Sequence, residues 1–141
     1  MKKLTTLFCI LFTLFFSSQC AATPKSTVQT IGKYITDSFY TEEPRELSEI
    51  KNLFVSRSVA GGFNRKFNLR GVKEGLISRV SFNIVSTDIS NDKATVQTQL
   101  IAEGPYRGKT RTSSKRYNFF LVKNEYGVWQ VSKFKYKHGE N

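Results

Sequence analysis

Residues 117–134 read YNFFLVKNEYGVWQVSKF, two apolar runs broken by a short turn, and their periods decide what the chain can build. Tyr117, Phe119 and Leu121 alternate with Asn118, Phe120 and Val122. That is the two-residue period of a strand, and both sets are apolar enough for its middle to be covered on two faces. Glu125 to Gly127 supply turn chemistry. Beyond them Val128, Phe134 and Tyr136 alternate with Trp129 and Val131 in a second strand.

The same period holds upstream. The strand that opens this hairpin reads from about Arg111 to Lys123, and EGPYRGK at 103–109 reads as the connection before it. Val80, Phe82 and Ile84 alternate with Arg79, Ser81 and Asn83; SNDKA makes a turn; Ala94, Val96, Thr98 and Leu100 then alternate with polar residues. Before Leu76 the period changes. Val28, Ile31, Ile35 and Phe39 recur at three- and four-residue steps and predict a helix over 27–39, capped by Ser26 or Thr27. Gly32 inside it costs about 1 kcal/mol against alanine. After TEEP at 41–44, a second helix is expected from about Pro44 to Val55, with Leu47, Ile50, Leu53 and Phe54 on one face. Residues 56–75 read as loop plus one short helix around Phe63, Phe67 and Leu69, with AGGF at 60–63 ending a helix. Helices followed by a meander of strands predict an α+β fold: N-terminal helices on a curved antiparallel sheet of about four strands.

The first residues carry the three-part pattern of a secretory signal: Lys2 and Lys3, an apolar run from Leu4 to Phe16, and small residues from Ser17 to Ala22. Cleavage is expected after Ala22, giving a signal peptide over 1–22 and one domain over 23–141 with its core at about 27–136. Retention as a membrane anchor is the second reading. The strongly apolar part is shorter than the roughly 20 residues a bilayer needs. Acylation of Cys20 is the third, but Ser17 and Gln19 stand where a lipoprotein motif wants an aliphatic and a small residue. The chain has two cysteines, Cys9 and Cys20, so the expected mature protein has neither disulfide nor thiolate chemistry.

Twelve phenylalanines and a 39% hydrophobic content argue for a packed core. The formal charge of +11 falls by two without Lys2 and Lys3, and it favours acidic partners in a salt-dependent way. The cations concentrate late in the chain. Arg107, Lys109, Arg111, Lys115 and Arg116 precede or open the third strand, and Lys133, Lys135 and Lys137 line one face of the fourth. If those strands pair, the eight are expected to form one anion- or partner-binding patch beside Tyr106, Tyr117 and Trp129. The plainer reading is that edge strands carry lysines to deter aggregation.

The helix pair, NDKATVQTQLIAEG at 91–104 and above all residues 117–134 resemble the nuclear-transport-factor-two-like, or cystatin-like, superfamily over roughly Thr27 to Tyr136. The resemblance implies a cone between helices and sheet, and a fold that hosts enzymes, ligand binders and scaffold domains. It also implies that the open sheet face can pair, so both a monomer and a homodimer stay open. Ketosteroid-isomerase-like members would gather an Asp, His or Tyr inside the cone, which here Tyr34, Phe39, Phe82, Phe119 and Trp129 could line as a pocket. The same aromatics serve equally as plain core. His138 is the single histidine and lies in the tail, and the carboxylates are scattered, so neither a catalytic set nor a metal site or cofactor is expected.

These readings converge on an exported, non-enzymatic binding or assembly-accessory domain of the bacterial cell envelope, periplasmic or extracellular, meeting an envelope protein or an anionic surface. The alternatives are a small-molecule-binding or ketosteroid-isomerase-like protein and a periplasmic component of a type IV secretion system. Nucleic acid is the weakest partner, since export removes the chain from it. Membrane contact requires a retained N-terminus or a lipidated Cys20.

Overall fold

A computed structural model of the chain describes residues 21–40, 46–67 and 77–137. The expected signal segment up to Cys20, Leu69 and His138 lie outside them. Helix α1 runs Pro24–Tyr40, starting earlier than its apolar period announces because Thr23 is its cap. The Thr23 hydroxyl accepts from the Ser26 N–H at 3.1 Å while the Ser26 hydroxyl accepts from the Thr23 N–H at 2.8 Å. This is a reciprocal capping box, with Pro24 in the first helical position where its missing N–H is harmless. Val28, Ile31, Tyr34, Ile35 and Phe39 form the buried face.

The helix expected over 44–55 is instead two short 3-10 turns, Leu47–Glu49 and Lys51–Leu53, among the residues described. Tertiary contacts override the helical period here. Ile50 and Phe54 are buried, Phe54 bridges to Val131, and the Val55 N–H donates to the Val131 carbonyl at 3.0 Å. Helix α2 follows at Arg57–Lys66, with Ser56 as N-cap accepting from the Val59 N–H. Gly61 and Gly62, read from sequence as a stop, lie inside this helix.

Four antiparallel strands follow in the order 1-2-3-4: β1 Arg79–Ser90, β2 Lys93–Tyr106, β3 Lys109–Lys123 and β4 Trp129–Lys137. Residues 103–109 are mostly strand, and the β2–β3 connection is only Arg107-Gly108. Both of its residues take positive φ, 49° and 74°, as a primed two-residue hairpin requires. The turn before β4 is organised by Asn124, whose Oδ1 accepts from the N–H groups of Tyr126 and Val128.

Register in β4 departs from simple alternation. Phe120 pairs with Lys133 and Leu121 with Val131, leaving Ser132 as an extra residue whose hydroxyl donates to the Phe120 carbonyl at 3.1 Å. One inserted residue flips the face of every later side chain. Trp129, Val131, Phe134 and Tyr136 therefore all share the helix side with β3 Tyr117, Phe119 and Leu121. Against this surface Phe63 of α2 packs at ring-centroid distances of 5.1 Å from Phe54, 6.3 Å from Phe119 and 5.8 Å from Phe134, the last edge-on.

Gly32 also has a packing reason. A Cβ there would lie 2.1 Å from Cδ1 of Phe82 on β1, so α1 touches the strand only because it lacks a side chain at this point. The helical glycines can be told apart experimentally. Gly32→Ala is expected to destabilise by about 1–3 kcal/mol through overpacking, despite alanine's better propensity. At Gly61 and Gly62 a Cβ would meet nothing nearer than the Arg65 side chain, at 3.9 and 4.0 Å, so alanine there should stabilise by up to about 1 kcal/mol. Urea denaturation of the three variants checks the opposite signs.

Candidate functional site

The interior comes first, because the cone is where chemistry would sit. Phe119 is fully buried, and Tyr34, Phe39 and Trp129 are nearly so. Phe119 is boxed in by Phe63, Phe82 and Phe134, while Trp129 lies at the other end of the sheet under Lys123, whose Nζ is 5.4 Å from its ring. The five aromatics expected to line one pocket are thus distributed through the packed core. Among the described residues the buried side chains that carry a polar atom are Thr27, Thr98, Tyr34, Tyr117 and Trp129, and the Thr98 hydroxyl donates to the Tyr117 carbonyl.

A groove of about 460 Å³ does exist, but on the flank, between α1 and the edge strand β1. Lys25, Gln29, Lys33 and Thr36 line one wall and Phe82 and Ile84 the other. Of the five aromatics only Phe82 reaches it. Among the described residues no cluster of three or more His, Cys, Asp or Glu could hold a metal ion, and no helix is long and apolar enough to cross a membrane.

The eight basic residues do not share one face, and the register explains why. Arg116 pairs with Lys137, Asn118 with Lys135 and Phe120 with Lys133. These side chains lie on the sheet's outer face, away from the helices. Lys109, Arg111 and Lys115 are odd-numbered in an unbroken strand and so lie on the side of Tyr117 and Phe119. Arg107 sits in the hairpin turn. The outer row is regular: cations two residues apart on β4 are separated by about 7 Å, with Arg116 beside the last. All four are exposed, and the ion pairs Lys33–Asp37 and Arg79–Glu103 lie elsewhere.

Sequence reasoning missed a second arrangement at the hairpin tip. The guanidinium carbons of Arg107 and Arg111 stand 5.2 and 5.4 Å from the centroid of the Tyr106 ring, and Lys109 is the cross-strand partner of Tyr106. One half-exposed ring thus gathers two guanidiniums beside an ammonium. An Arg-Gly pair between two alternating segments was the signal available for this turn.

Two helices on one face of an open, four-stranded antiparallel meander define the NTF2-like, or cystatin-like, α+β fold. No family model matches the chain, and a search of curated proteins also finds no match. Solved structures do. An NTF2-like protein with a cystatin-like fold from Novosphingobium aromaticivorans aligns with a TM-score of 0.53 and 12% identity over 96% of this chain and 90% of that one. An NTF2-like protein of unknown function from Shewanella oneidensis MR-1 gives 0.51 and 9% over 81% and 98%. A ketosteroid isomerase-like protein from Erwinia carotovora atroseptica gives 0.46 and 15% over 76% and 88%. For the first two, at these identities, the likeness is one of fold.

One titrating group reports on the core. Burial first, and then the neighbouring Tyr136 ring 5.5 Å away, push the Tyr117 phenol above its ordinary value of 10.0. The folded state therefore holds the proton more tightly than the unfolded chain. This contribution is fully present below the unfolded value and is lost as pH rises from there through the raised folded value. Tyr117→Phe cannot ionise, so the stability difference between wild type and variant should be flat below about pH 9 and should move against the wild type above about pH 10. Parallel curves in urea denaturation across that range would contradict the assignment.

Proposed function

We propose that this protein is an exported, non-enzymatic binding module of the bacterial cell envelope that docks an anionic partner on the outer face of its sheet. The observation that carries the reading is the row Arg116, Lys133, Lys135 and Lys137, exposed and regularly spaced. Such a row offers a linear track of positive charge to a polyanion or an acidic protein face. Edge protection alone is a weaker explanation at Lys133, which lies opposite Phe120, an aromatic ring left only partly covered. A partner seated there gains apolar contact as well as charge.

The rival reading places a small molecule or isomerase chemistry inside the cone. Such chemistry wants a carboxylate, imidazole or phenol turned toward an open space. Among the described residues the space between helices and sheet is taken up by Phe63, Phe67, Phe119 and Phe134, and the raised phenol of Tyr117 is itself packed against Phe67 at 4.8 Å. The surface reading is the better supported of the two.

Polyglutamate and vesicles containing phosphatidylglycerol serve as probes that separate a protein-like from a lipid-like anion. Retention of at least one is expected at about 0.1 M salt and should be lost toward about 1 M, as the Debye length shrinks from about 10 to about 3 Å. Lys133→Glu, Lys135→Glu and Lys137→Glu combined should weaken it at least about tenfold. Salt-indifferent retention, or retention undiminished in the triple variant, would sink the proposal. Export is tested by the mass of the protein recovered from the periplasm or medium, which should begin at Thr23.

A further inference from the structure

The β2–β3 hairpin outruns its neighbours. β4 ends opposite Arg116, whereas β3 begins at Lys109, so among the described residues no strand pairs with the far edge of β3 from Lys109 to Lys115. Side-chain and turn hydrogen bonds show which backbone groups face that edge. The Lys123 N–H donates to the Asp92 carbonyl and the Thr98 hydroxyl donates to the Tyr117 carbonyl, so odd-numbered residues of β3 turn their main chain toward β2. The Ser132 hydroxyl donates to the Phe120 carbonyl, so even-numbered residues face β4. Pairing with β2 continues without a bulge down to Lys109. Thr110, Thr112 and Ser114 therefore turn their N–H and C=O groups away from β2, in the alternation of an antiparallel ladder, to a side where no strand among the described residues pairs.

Chemistry along this edge selects the occupant. Lys109, Arg111 and Lys115 flank it on one face and Thr110, Thr112 and Ser114 on the other, with the Arg107–Tyr106–Arg111 cluster at its end. No acidic residue lies between Arg107 and Arg116. A second copy of this chain fits badly, because pairing two such edges sets the row of Lys109, Arg111 and Lys115 against itself on one face, and like charges directly opposite destabilise a sheet. The edge has neither proline nor bulge in 109–115, so its charge alone guards it against unselective pairing.

We propose that this edge accepts an added strand from an acidic, extended segment of a partner protein. Its main chain pairs with Thr110, Thr112 and Ser114, and its alternate carboxylates meet Lys109, Arg111 and Lys115. Main-chain bonds supply affinity and the cation row supplies selectivity, as in other strand-addition complexes. The site is distinct from the outer row on β4 and stands whether or not that row binds anything.

The test uses the full chain and a seven-residue capped peptide, Glu-Thr-Glu-Val-Glu-Thr-Glu, against a peptide of the same composition with its glutamates in one block. The alternating peptide should bind at least about tenfold more tightly, a difference of about 1.4 kcal/mol. Thr112→Pro removes one outward N–H while sparing the odd-numbered bonds to β2, and proline is tolerated where a strand N–H faces solvent; it should weaken binding about tenfold or more. Arg111→Gln with Lys115→Gln should weaken binding and flatten its salt dependence, while Lys133→Glu, Lys135→Glu and Lys137→Glu should leave the preference for the alternating peptide intact. In the unaltered protein, amide exchange at Thr110, Thr112 and Ser114 should slow on adding peptide while Arg111 and Ser113 stay unchanged. Equal binding of the two peptides, or exchange that does not slow at the three even positions, would overturn the proposal.

Discussion

The contact of Phe63 with Phe119 and Phe134 ties α2 to the centre of the sheet, and Ser132 makes it possible. Without the extra residue in β4, Phe134 and Tyr136 would point away from Trp129 and Val131. Two of the three aromatic side chains of β4 would then leave the helix side. Removing a buried phenylalanine costs about 3–5 kcal/mol, a large part of the roughly 5–15 kcal/mol that holds a typical domain together. A single bulge thus adds Phe134 and Tyr136 to the surface on which the helices pack. The neighbouring contact of Phe82 with Gly32 does the same for α1, by closing the distance between helix and edge strand.

Between helices and sheet, Phe54, Phe63, Phe67, Phe119 and Phe134 form a chain of ring contacts. The outside is left with two different resources. One is a row of cations whose spacing is set by the pleat of β4. The other is the edge of β3 from Lys109 to Lys115, with which no strand among the described residues pairs. The register keeps the cation row and this edge on different parts of the sheet.

Much of the fold was legible in the sequence because period survives translation into structure. The alternation at Val80, Phe82 and Ile84, at Ala94, Val96 and Thr98, and at Tyr117, Phe119 and Leu121 marked three strands correctly, and the steps from Val28 to Phe39 marked α1. What failed was local and had physical causes. The bulge at Ser132 leaves no compositional trace, so Phe134 was assigned to the wrong face relative to Trp129. The turns between Leu47 and Leu53 have a helical pattern, but Phe54 is held by Val131. Gly61 and Gly62 look like a stop, yet Ser56 caps the helix and Phe63 anchors it. The site was read less well. Eight cations could be counted, but dividing them between two faces needed the pairing of Arg116 with Lys137 and the length of β3.

The most direct measurement is a titration of the isotope-labelled full chain with polyglutamate, followed amide by amide in the magnetic resonance spectrum. Shifts confined to residues 107–116 and 132–137, fading as salt is raised, are expected of a protein that works through its charged sheet surface. Shifts centred on Phe63, Phe119 and Trp129 would instead show that the interior opens to ligands and would contradict it.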